Sequence, residues 1–203
     1  MSRTTRLPRS FYRRPTLDVA YDLLGKVLVH TGTTGLVTGV IAEVEAYIGE
    51  DDPACHAAPG LTDRNLPLYG PPGHAYVYLN YGMHYLLNAV TEPVGCPAAV
   101  LIRALQPLDG LPLMRRRRKA VRHATLTADA GLCRGPGNLT CAFGITLRHN
   151  QVDLCGDRLY IEDRSRSVDA IDWSLRVGIS VGTERRWRAY IIDCSAVSAN
   201  TRK

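Results

Sequence analysis

The chain has 203 residues, 45% of them hydrophobic, and a formal net charge of +6 at pH 7. A chain of this length can bury the core of one globular domain, and the absence of an apolar run of about 18 residues excludes a membrane-spanning helix. The positive charge permits a polyanionic partner without requiring one. We expect a single domain over residues 1–203, with flexible termini at 1–10 and 196–203.

The cysteines and the N-terminal segment favour a reducing compartment. The six cysteines are spread along the chain and form no Cys-x-x-Cys pair. This pattern argues against a zinc site and, without a secretory signal, against a disulfide framework. The N-terminal segment is positively charged but lacks the apolar region of such a signal. We therefore expect six free thiols, no metal site and a cytoplasmic protein, with a monomer as the default state.

In chain order, the first predicted elements are a helix and a hairpin. Apolar residues at helical spacing predict a helix over 16–24, which ends at Gly25. Residues 26–30 are typical of a strand, and residues 31–35 are typical of a hairpin loop that leads into the next strand.

That next strand carries two carboxylates in an otherwise apolar sequence. With a period of two, residues 40–48 place five aliphatic side chains on one face, and Glu43, Glu45 and Tyr47 lie on the other. Residues two apart on a strand are about 6–7 Å apart, so both carboxylates could border one pocket. A solvated edge face would explain the same pattern, and the segment alone does not decide between the two.

The segment 49–73 is rich in Gly, Pro and Asp and has no clear periodicity, which is typical of a functional or mobile loop. A second hairpin follows, with its tip at 81–84 between strands over 74–80 and 85–90. Six of the ten tyrosines lie between residues 47 and 85. Because such flat rings stack well on nucleobases, their clustering favours a surface that binds them.

Tyr81 and His56 are the candidate functional residues of this region. Tyr81 precedes Gly82 at the hairpin tip, where a large ring has little protein to pack on, so it suits insertion into a base stack. His56 could equally be a structural histidine that backbone groups satisfy. We expect Tyr76 and Tyr85 to be ordinary side chains at the boundary between core and surface.

A largely buried strand is predicted over 98–105, and it presents Arg103 near its end. A buried guanidinium needs an acidic or polar partner. Glu45 is the natural candidate, and an Arg–Glu pair of this kind could hold a water between its charged groups.

The C-terminal half combines helices with short strands. A helix after Pro112 carries the basic run 115–119, whose simplest interpretation is a solvated face. A short helix near 139–143 follows the Gly-rich segment 134–138, which could place a phosphate at a helix N-terminus. The remaining predicted elements are strands at 158–162, 176–180 and 187–192 and a surface loop at 165–172. The whole pattern indicates the α+β class: one compact domain with a mostly antiparallel, curved sheet, surrounding helices and a protruding hairpin.

Three motifs carry a resemblance to a known family. E-x-E-A-Y begins at Glu43, Y-V-Y-x-x-Y-G-M begins at Tyr76, and L-I-R-A-L begins at Leu101. In this order, with further matching blocks from about residue 10 to 195, they resemble the alkyladenine (3-methyladenine) DNA glycosylase family of the human and bacterial type. Asn138 departs from the pattern, because many members have Lys there. Cys55 is also less usual and could make the pocket edge oxidisable.

The resemblance implies a monofunctional DNA glycosylase of base excision repair. Such an enzyme flips an alkylated or deaminated purine out of duplex DNA and hydrolyses its N-glycosidic bond, which leaves an abasic site. The implied partner is double-stranded DNA that contains damaged purines. Neither a metal nor an organic cofactor is implied.

The roles of the family's residues carry over motif by motif. Glu45 would activate the attacking water, and Arg103 and a nearby backbone carbonyl would position that water. Tyr81 would intercalate into the gap left by the flipped nucleotide. The residues implied for the base pocket are Tyr47, His56, Tyr78 and Asn88. The candidates for contacts with the DNA backbone are Arg64, Gly82, Met83 and Arg134.

Two other functions stay open at this point. A glycosidase acting on free nucleosides or sugars could use Glu43 and Glu45 as an acid/base pair, since their spacing is near that of inverting enzymes. A non-catalytic DNA-lesion binder could retain the Tyr81 wedge. The wedge and the basic charge argue against the first alternative, and a buried Glu45–Arg103 pair would argue against the second.

Overall fold

The computed structural model describes residues 5–120 and 128–198. The helices in these ranges are α1 Arg9–Tyr12, α2 Thr16–Leu23, α3 Leu111–Lys119 and α4 Pro136–Phe143. The strands are β1 Thr5–Arg6, β2 Val27–Gly32, β3 Gly35–Ile48, β4 Ala75–Asn80, β5 His84–Val90, β6 Ala98–Pro107, β7 Leu159–Asp163, β8 Ile171–Ser174 and β9 Arg188–Ile191. Short 3₁₀ helices cover Leu66–Tyr69, Asp129–Gly131 and Leu147–His149.

The nine strands form one sheet, and every pairing among the described residues is antiparallel. The main path is β1-β7-β2-β3-β6-β5-β4, and β9 pairs with β3 and β8 outside this path. β3 is the centre of the sheet, because it pairs with β6 along one edge and with β2 and then β9 along the other. The predicted α+β class, with a mostly antiparallel sheet in a single domain, is confirmed.

β3 contains an irregularity that changes which way its side chains point. Its register with β6 shifts between Ile41 and Glu43 and again between Glu43 and Val44. Ile41 and Val44 consequently share the main core, although strict alternation would put them on opposite faces. The single apolar face predicted for residues 40–48 is therefore wrong. The solvated edge face is also wrong, because Glu43 and Glu45 are both wholly buried.

Apolar clusters lie on both faces of the sheet. α2, α3 and α4 contribute to the main core, where Met114 is fully buried. Ala75 and Val77 of β4 belong to that core, whereas Tyr76 between them packs in a second cluster with residues of the loop 49–73. Because successive side chains of a strand point to opposite faces, the second cluster lies on the other side of β4.

Several predicted segments differ from the structure. Residues 176–180 form an irregular loop and not the predicted strand, since Gly178 adopts a φ of +80°, which extended backbone does not allow. The predicted surface loop 165–172 ends early, because β8 begins at Ile171. The terminal segments expected to be flexible contribute β1, which pairs with β7, and Ser198, which contacts Glu43. Residues 1–4 and 199–203 of these segments lie outside the described residues.

All six cysteines are free, as the sequence predicted. Within residues 5–120 and 128–198, no helix has both the length and the apolar character needed to cross a bilayer. The same ranges contain no group of three or more His, Cys, Asp or Glu side chains arranged to hold a metal ion.

Candidate active site

A cavity of about 300 Å³ lies beside the second apolar cluster. This volume is at the lower end of the range of small-molecule sites in proteins. The wall combines the loop 49–73, the β4–β5 hairpin, β6, the start of α4 and the loop 177–179. The predicted site residues that line the cavity are Tyr47, His56, Tyr78, Tyr81, Asn88 and Arg103.

Glu45 lies behind this wall and is fully buried. Its Oε2 accepts hydrogen bonds from the Tyr47 hydroxyl (2.9 Å) and from Arg103 Nη1 (3.1 Å). Its Oε1 accepts a hydrogen bond from the backbone N–H of Val177 (2.7 Å). All three partners line the cavity. Each of these hydrogen bonds therefore couples the carboxylate to the cavity wall.

Arg103 joins the two carboxylates of β3. Its Nε donates to Glu43 Oε1 (2.9 Å), and its Nη1 donates to Glu45 and to the carbonyl of Val177 (3.3 Å). Burial alone would lower the pKa of Arg103, but the neighbouring carboxylates of Glu45 and Glu43 raise it above its ordinary value. The structure thus brings Glu45 and Arg103 together, as the sequence predicted, and places a backbone carbonyl beside them.

Glu43 contacts a different set of groups. Besides Arg103, its carboxylate accepts hydrogen bonds from Arg188 Nε (2.7 Å) and from the N–H and hydroxyl of Ser198 (2.8 and 2.6 Å). Burial would raise the pKa of Glu43, but Arg103, Ser198 and Arg188 lower it, so the group is ionised at neutral pH. Neither Glu43 nor Glu45 lines the cavity, so the expectation that both carboxylates border one pocket is wrong. For Glu43 the physical reason is that these donors enclose it.

The cavity wall is aromatic and largely uncharged. The His56 ring lies 4.4 Å from the Tyr78 ring between centroids, and its Nδ1 is 2.8 Å from the Tyr76 hydroxyl. Burial lowers the pKa of His56, with a further contribution from Arg64. Burial raises the pKa of both Tyr47 and Tyr78. The imidazole and the two phenols are therefore predominantly neutral at pH 7.

Asn88 and Tyr76 face each other across the β4–β5 hairpin. Asn88 Nδ2 donates to the Tyr76 carbonyl (3.0 Å), which fixes the orientation of the amide. Both residues are buried and both line the cavity. Tyr76 is therefore a cavity residue that the sequence analysis missed. The available signal was its spacing of two from Tyr78, which puts both rings on one face of β4.

A buried ion pair joins the loop 49–73 to the segment before Val177. The two Nη groups of Arg176 donate to the two carboxylate oxygens of Asp52 (2.6 and 2.7 Å), and both side chains are wholly buried. The Arg176 guanidinium also lies 4.7 Å from the centroid of the Tyr47 ring, at which distance the cation attracts the ring face. One pair thus supports both the loop and a wall residue of the cavity.

The sequence does not reveal this pair, because residues 176–180 have the pattern of a strand. Arg176 also donates to the Ala46 carbonyl (3.1 Å), so it reaches the centre of the sheet from an irregular loop. Because a buried guanidinium needs an acidic partner, burial of Arg176, like that of Arg103, indicates a carboxylate beside it.

The tip of the β4–β5 hairpin presents two exposed side chains. Tyr81 is 81% exposed and Met83 is 72% exposed. Tyr81 and Gly82 have positive φ values of +49° and +67°, which makes the turn tight and suits glycine at the second position. Because Tyr81 also lines the cavity, its ring stands in solvent at the cavity mouth.

The two predicted arginines, Arg64 and Arg134, are exposed. Arg134 donates to the carbonyl of Ser195, and its own carbonyl accepts a hydrogen bond from Asn138 Nδ2 (2.7 Å). Asn138 therefore holds the start of α4 through a neutral contact, where a lysine would present a charge.

Cys55 lines the cavity but is shielded from solvent. The residue is 4% exposed, and burial raises the pKa of its thiol to about 11. The thiolate is the form that reacts with oxidants. Its burial and its protonated thiol both disfavour the oxidation expected from the sequence.

Comparison with known proteins agrees with this arrangement over almost the whole chain. The family model of methylpurine-DNA glycosylase matches residues 10–195. The chain is 48% identical over 195 residues to a protein of Chlorobium phaeobacteroides (strain BS1), with 95% of each chain covered. It is 48% identical over 197 residues to a protein of Methanocella arvoryzae, again with 95% of each covered. It is 47% identical over 198 residues to a protein of Salinibacter ruber, with 91% of this chain and 92% of the relative covered.

Each of these relatives has been assigned the name 3-methyladenine DNA glycosylase. The matches define the class of protein: a DNA glycosylase, a hydrolase that acts on N-glycosyl bonds. Within that class, the chain belongs to the methylpurine-DNA glycosylase family.

Proposed function

We propose that the protein is a monofunctional glycosylase that flips alkylated or deaminated purines out of duplex DNA and hydrolyses their N-glycosidic bond. The observation that carries the proposal is the Glu45–Arg103 pair, held directly behind an aromatic cavity whose mouth carries Tyr81. A flipped base would enter the cavity, and the sugar would stay at the mouth. The product would be an abasic site in base excision repair.

The buried pair supports a hydrolytic role. Cleavage of an N-glycosidic bond passes through a sugar with oxocarbenium character, which requires an anion near C1′ and a positioned water. Glu45 would supply the anion and accept a proton from the water. Arg103 Nη1 and the Val177 carbonyl, 3.3 Å apart, are the polar groups that would hold the water beside Glu45. Hydrogen bonds of this kind commonly tighten when the substrate binds.

The neutral aromatic wall supports selection of damaged purines. Alkylation at N3 or N7 gives a purine a positive charge, and a cation is attracted to the faces of neutral rings such as those of Tyr47 and Tyr78. The charge also makes the base a good leaving group, so little acid assistance is needed. A neutral lesion such as hypoxanthine would need a hydrogen bond or a proton at N7, from a water or a backbone donor.

Asn88 is the proposed selectivity residue of the pocket. Its amide is fixed by the Tyr76 carbonyl, so it presents constant bulk to the cavity. We propose that this bulk disfavours a purine with a 2-amino group. His56, 4.4 Å from Tyr78, would complete the wall around the extruded base.

The lining residues also support a monofunctional enzyme. A glycosylase that cuts the strand forms a covalent imine through an amine nucleophile. The described residues that line the cavity include Arg103 as their one basic side chain besides His56, and no lysine. We propose that Gly82 and Met83 at the hairpin tip, with Arg64 and Arg134, contact the DNA backbone around the flipped nucleotide.

The proposal is tested with duplex oligonucleotides that hold a single hypoxanthine, 1,N6-ethenoadenine, N3-methyladenine or N7-methylguanine. The protein is incubated with each duplex, and alkali then converts abasic sites into strand breaks. Breaks that form only after alkali would support a monofunctional purine glycosylase and would rank its lesions. Tight binding without release of any base would favour a lesion-binding protein instead.

Tyr81→Ser is expected to weaken binding to a lesion-containing duplex by about tenfold or more, because stacking of one aromatic ring on a base contributes roughly 1–3 kcal/mol. The single-turnover excision rate at low enzyme concentration should fall as well, because less duplex is bound. The measurement is fluorescence anisotropy with a labelled duplex, followed by excision at several enzyme concentrations. Tyr21→Ser is the matched control, since Tyr21 is a 50% exposed tyrosine on α2 that does not line the cavity. Equal losses in the two variants would remove the wedge role.

A further inference from the structure

Glu43 is the centre of a buried ionic cluster that the proposed reaction does not use. Its Oε1 accepts hydrogen bonds from the Nε atoms of both Arg103 (2.9 Å) and Arg188 (2.7 Å). The Ser198 hydroxyl lies 2.6 and 2.7 Å from the two carboxylate oxygens, and the Ser198 N–H donates to Oε2 (2.8 Å). Glu43 and Arg188 are wholly buried.

This cluster sets the orientation of Arg103. A guanidinium is planar, so fixing its Nε and one Nη fixes the whole group. Glu43 holds the Nε, and the Nη1 of the same group reaches Glu45 and the Val177 carbonyl. The position of Arg103 Nη1 beside Glu45 therefore depends on where Glu43 holds the Nε of the same guanidinium.

Glu43 is in turn held by the C-terminal segment. Ser198 contributes both its backbone N–H and its hydroxyl, and its carbonyl accepts a hydrogen bond from Arg188 Nη2 (3.2 Å). Two guanidinium groups compete for Glu43 Oε1, and the Ser198 hydroxyl is the neutral donor that reaches both carboxylate oxygens. Without that hydroxyl, Glu43 keeps the Ser198 N–H but loses the contact that joins both carboxylate oxygens to Ser198, so the carboxylate can tilt between the two arginines.

We propose that Ser198 is a positioning residue for base hydrolysis, which acts through Glu43 on the orientation of Arg103. The inference rests on the proposed function and extends it to a residue outside the cavity wall, since Ser198 does not line the cavity. Ser198 sets the geometry of the pair that activates the water, and it contributes nothing to the binding of the base.

The test compares Ser198→Ala with Thr38→Val. Thr38 is a buried residue of β3 whose hydroxyl donates to the Asp109 carboxylate (2.7 Å) and accepts from the Asp109 N–H (3.2 Å), away from the cavity. Both variants lose a hydroxyl that is hydrogen-bonded to a carboxylate; the hydroxyl-bearing residue is buried at Thr38 and half-buried at Ser198. The readouts are the single-turnover excision rate at saturating enzyme, the dissociation constant for the duplex and the melting temperature.

Ser198→Ala is expected to lower the single-turnover rate by about tenfold, because small displacements of a positioning group cost large factors in rate. Duplex affinity should stay at the wild-type value, and the melting temperature should fall no further than in Thr38→Val. Ser198→Thr, which keeps the hydroxyl, should restore most of the rate. Glu43→Gln should lower the single-turnover rate more strongly than Ser198→Ala does. If Glu43→Gln does not fold, the comparison of Ser198→Ala with Ser198→Thr still tests the positioning role.

Two results separate failure of this inference from failure of the proposed function. If the wild-type protein excises bases and Ser198→Ala does so at the same rate, or no more slowly than Thr38→Val, Ser198 has a structural role only. If the wild-type protein releases no base from any duplex, the proposed function fails, and the inference fails with it.

Discussion

Glu45→Gln is expected to abolish base release while the protein still binds a lesion-containing duplex. The substitution keeps the size of the side chain and removes its charge, so it removes both the anion near the sugar and the acceptor for the proton of the water. Loss of a general base typically costs a factor of about 10² to 10⁴ in rate. The measurement is single-turnover excision with alkali cleavage, beside anisotropy with the same duplex.

Glu50→Gln is the control for this substitution. Glu50 is an exposed carboxylate close by in the chain, and its partner is the Tyr69 hydroxyl (2.7 Å) outside the cavity. We expect it to excise at the wild-type rate. If Glu45→Gln stays active while Glu43→Gln does not, the roles of the two carboxylates are reversed from those proposed.

Asp52→Asn is expected to lower the free energy of unfolding by about 3–5 kcal/mol, because it leaves the Arg176 guanidinium buried without its counter-ion. For a domain of this size, the melting temperature should fall by roughly 10 °C. Excision should fall as well, since Arg176 precedes Val177 and lies against the Tyr47 ring. The measurements are thermal and denaturant unfolding, followed by excision well below the new melting temperature.

Asp22→Asn is the matched control for the ion pair. Asp22 binds Arg14 at 2.7 Å, close to the 2.6 Å of the buried pair, but both side chains are more than one-third exposed. Exposed pairs contribute at most about 1 kcal/mol, so we expect little change in melting temperature. If Asp22→Asn and Asp52→Asn lower the melting temperature by similar amounts, burial of the Asp52–Arg176 pair does not increase its contribution to stability.

Two parts of the site could be predicted from the sequence. One depends on the alternation of residues along a strand, and the other depends on the need of a buried charge for a partner of opposite charge. The period-two pattern and the turn residues located the β4–β5 hairpin with Tyr81 at its tip. The requirement that a buried guanidinium has a partner paired Arg103 with Glu45. Both predictions needed only the physical properties of short segments.

The sequence did not predict what depends on register or on distant segments. A bulge in β3 leaves no mark in the pattern of residues 40–48, so the faces of that strand were assigned incorrectly. Val177 acts through its backbone N–H, which any residue except proline has, and Ser198 adds a hydroxyl to its N–H in a segment 155 positions from Glu43. Only the fold determines which N–H meets a carboxylate, so spacing in the sequence carries no signal for either residue.

The contacts around β3 also constrain how the protein can fold. Glu43 and Ser198 are 155 positions apart, Glu45 and Val177 are 132 apart, and Asp52 and Arg176 are 124 apart. Such non-local contacts form late, because the loop between them must close before they contribute. During synthesis, β3 leaves the ribosome long before its partners at 176–198 exist. A partly synthesised chain therefore has both carboxylates of β3 and Arg103, but it lacks the donors from Val177, Arg188 and Ser198 that complete their hydrogen bonds. This stretch is where we expect nascent chains to need protection from misfolding.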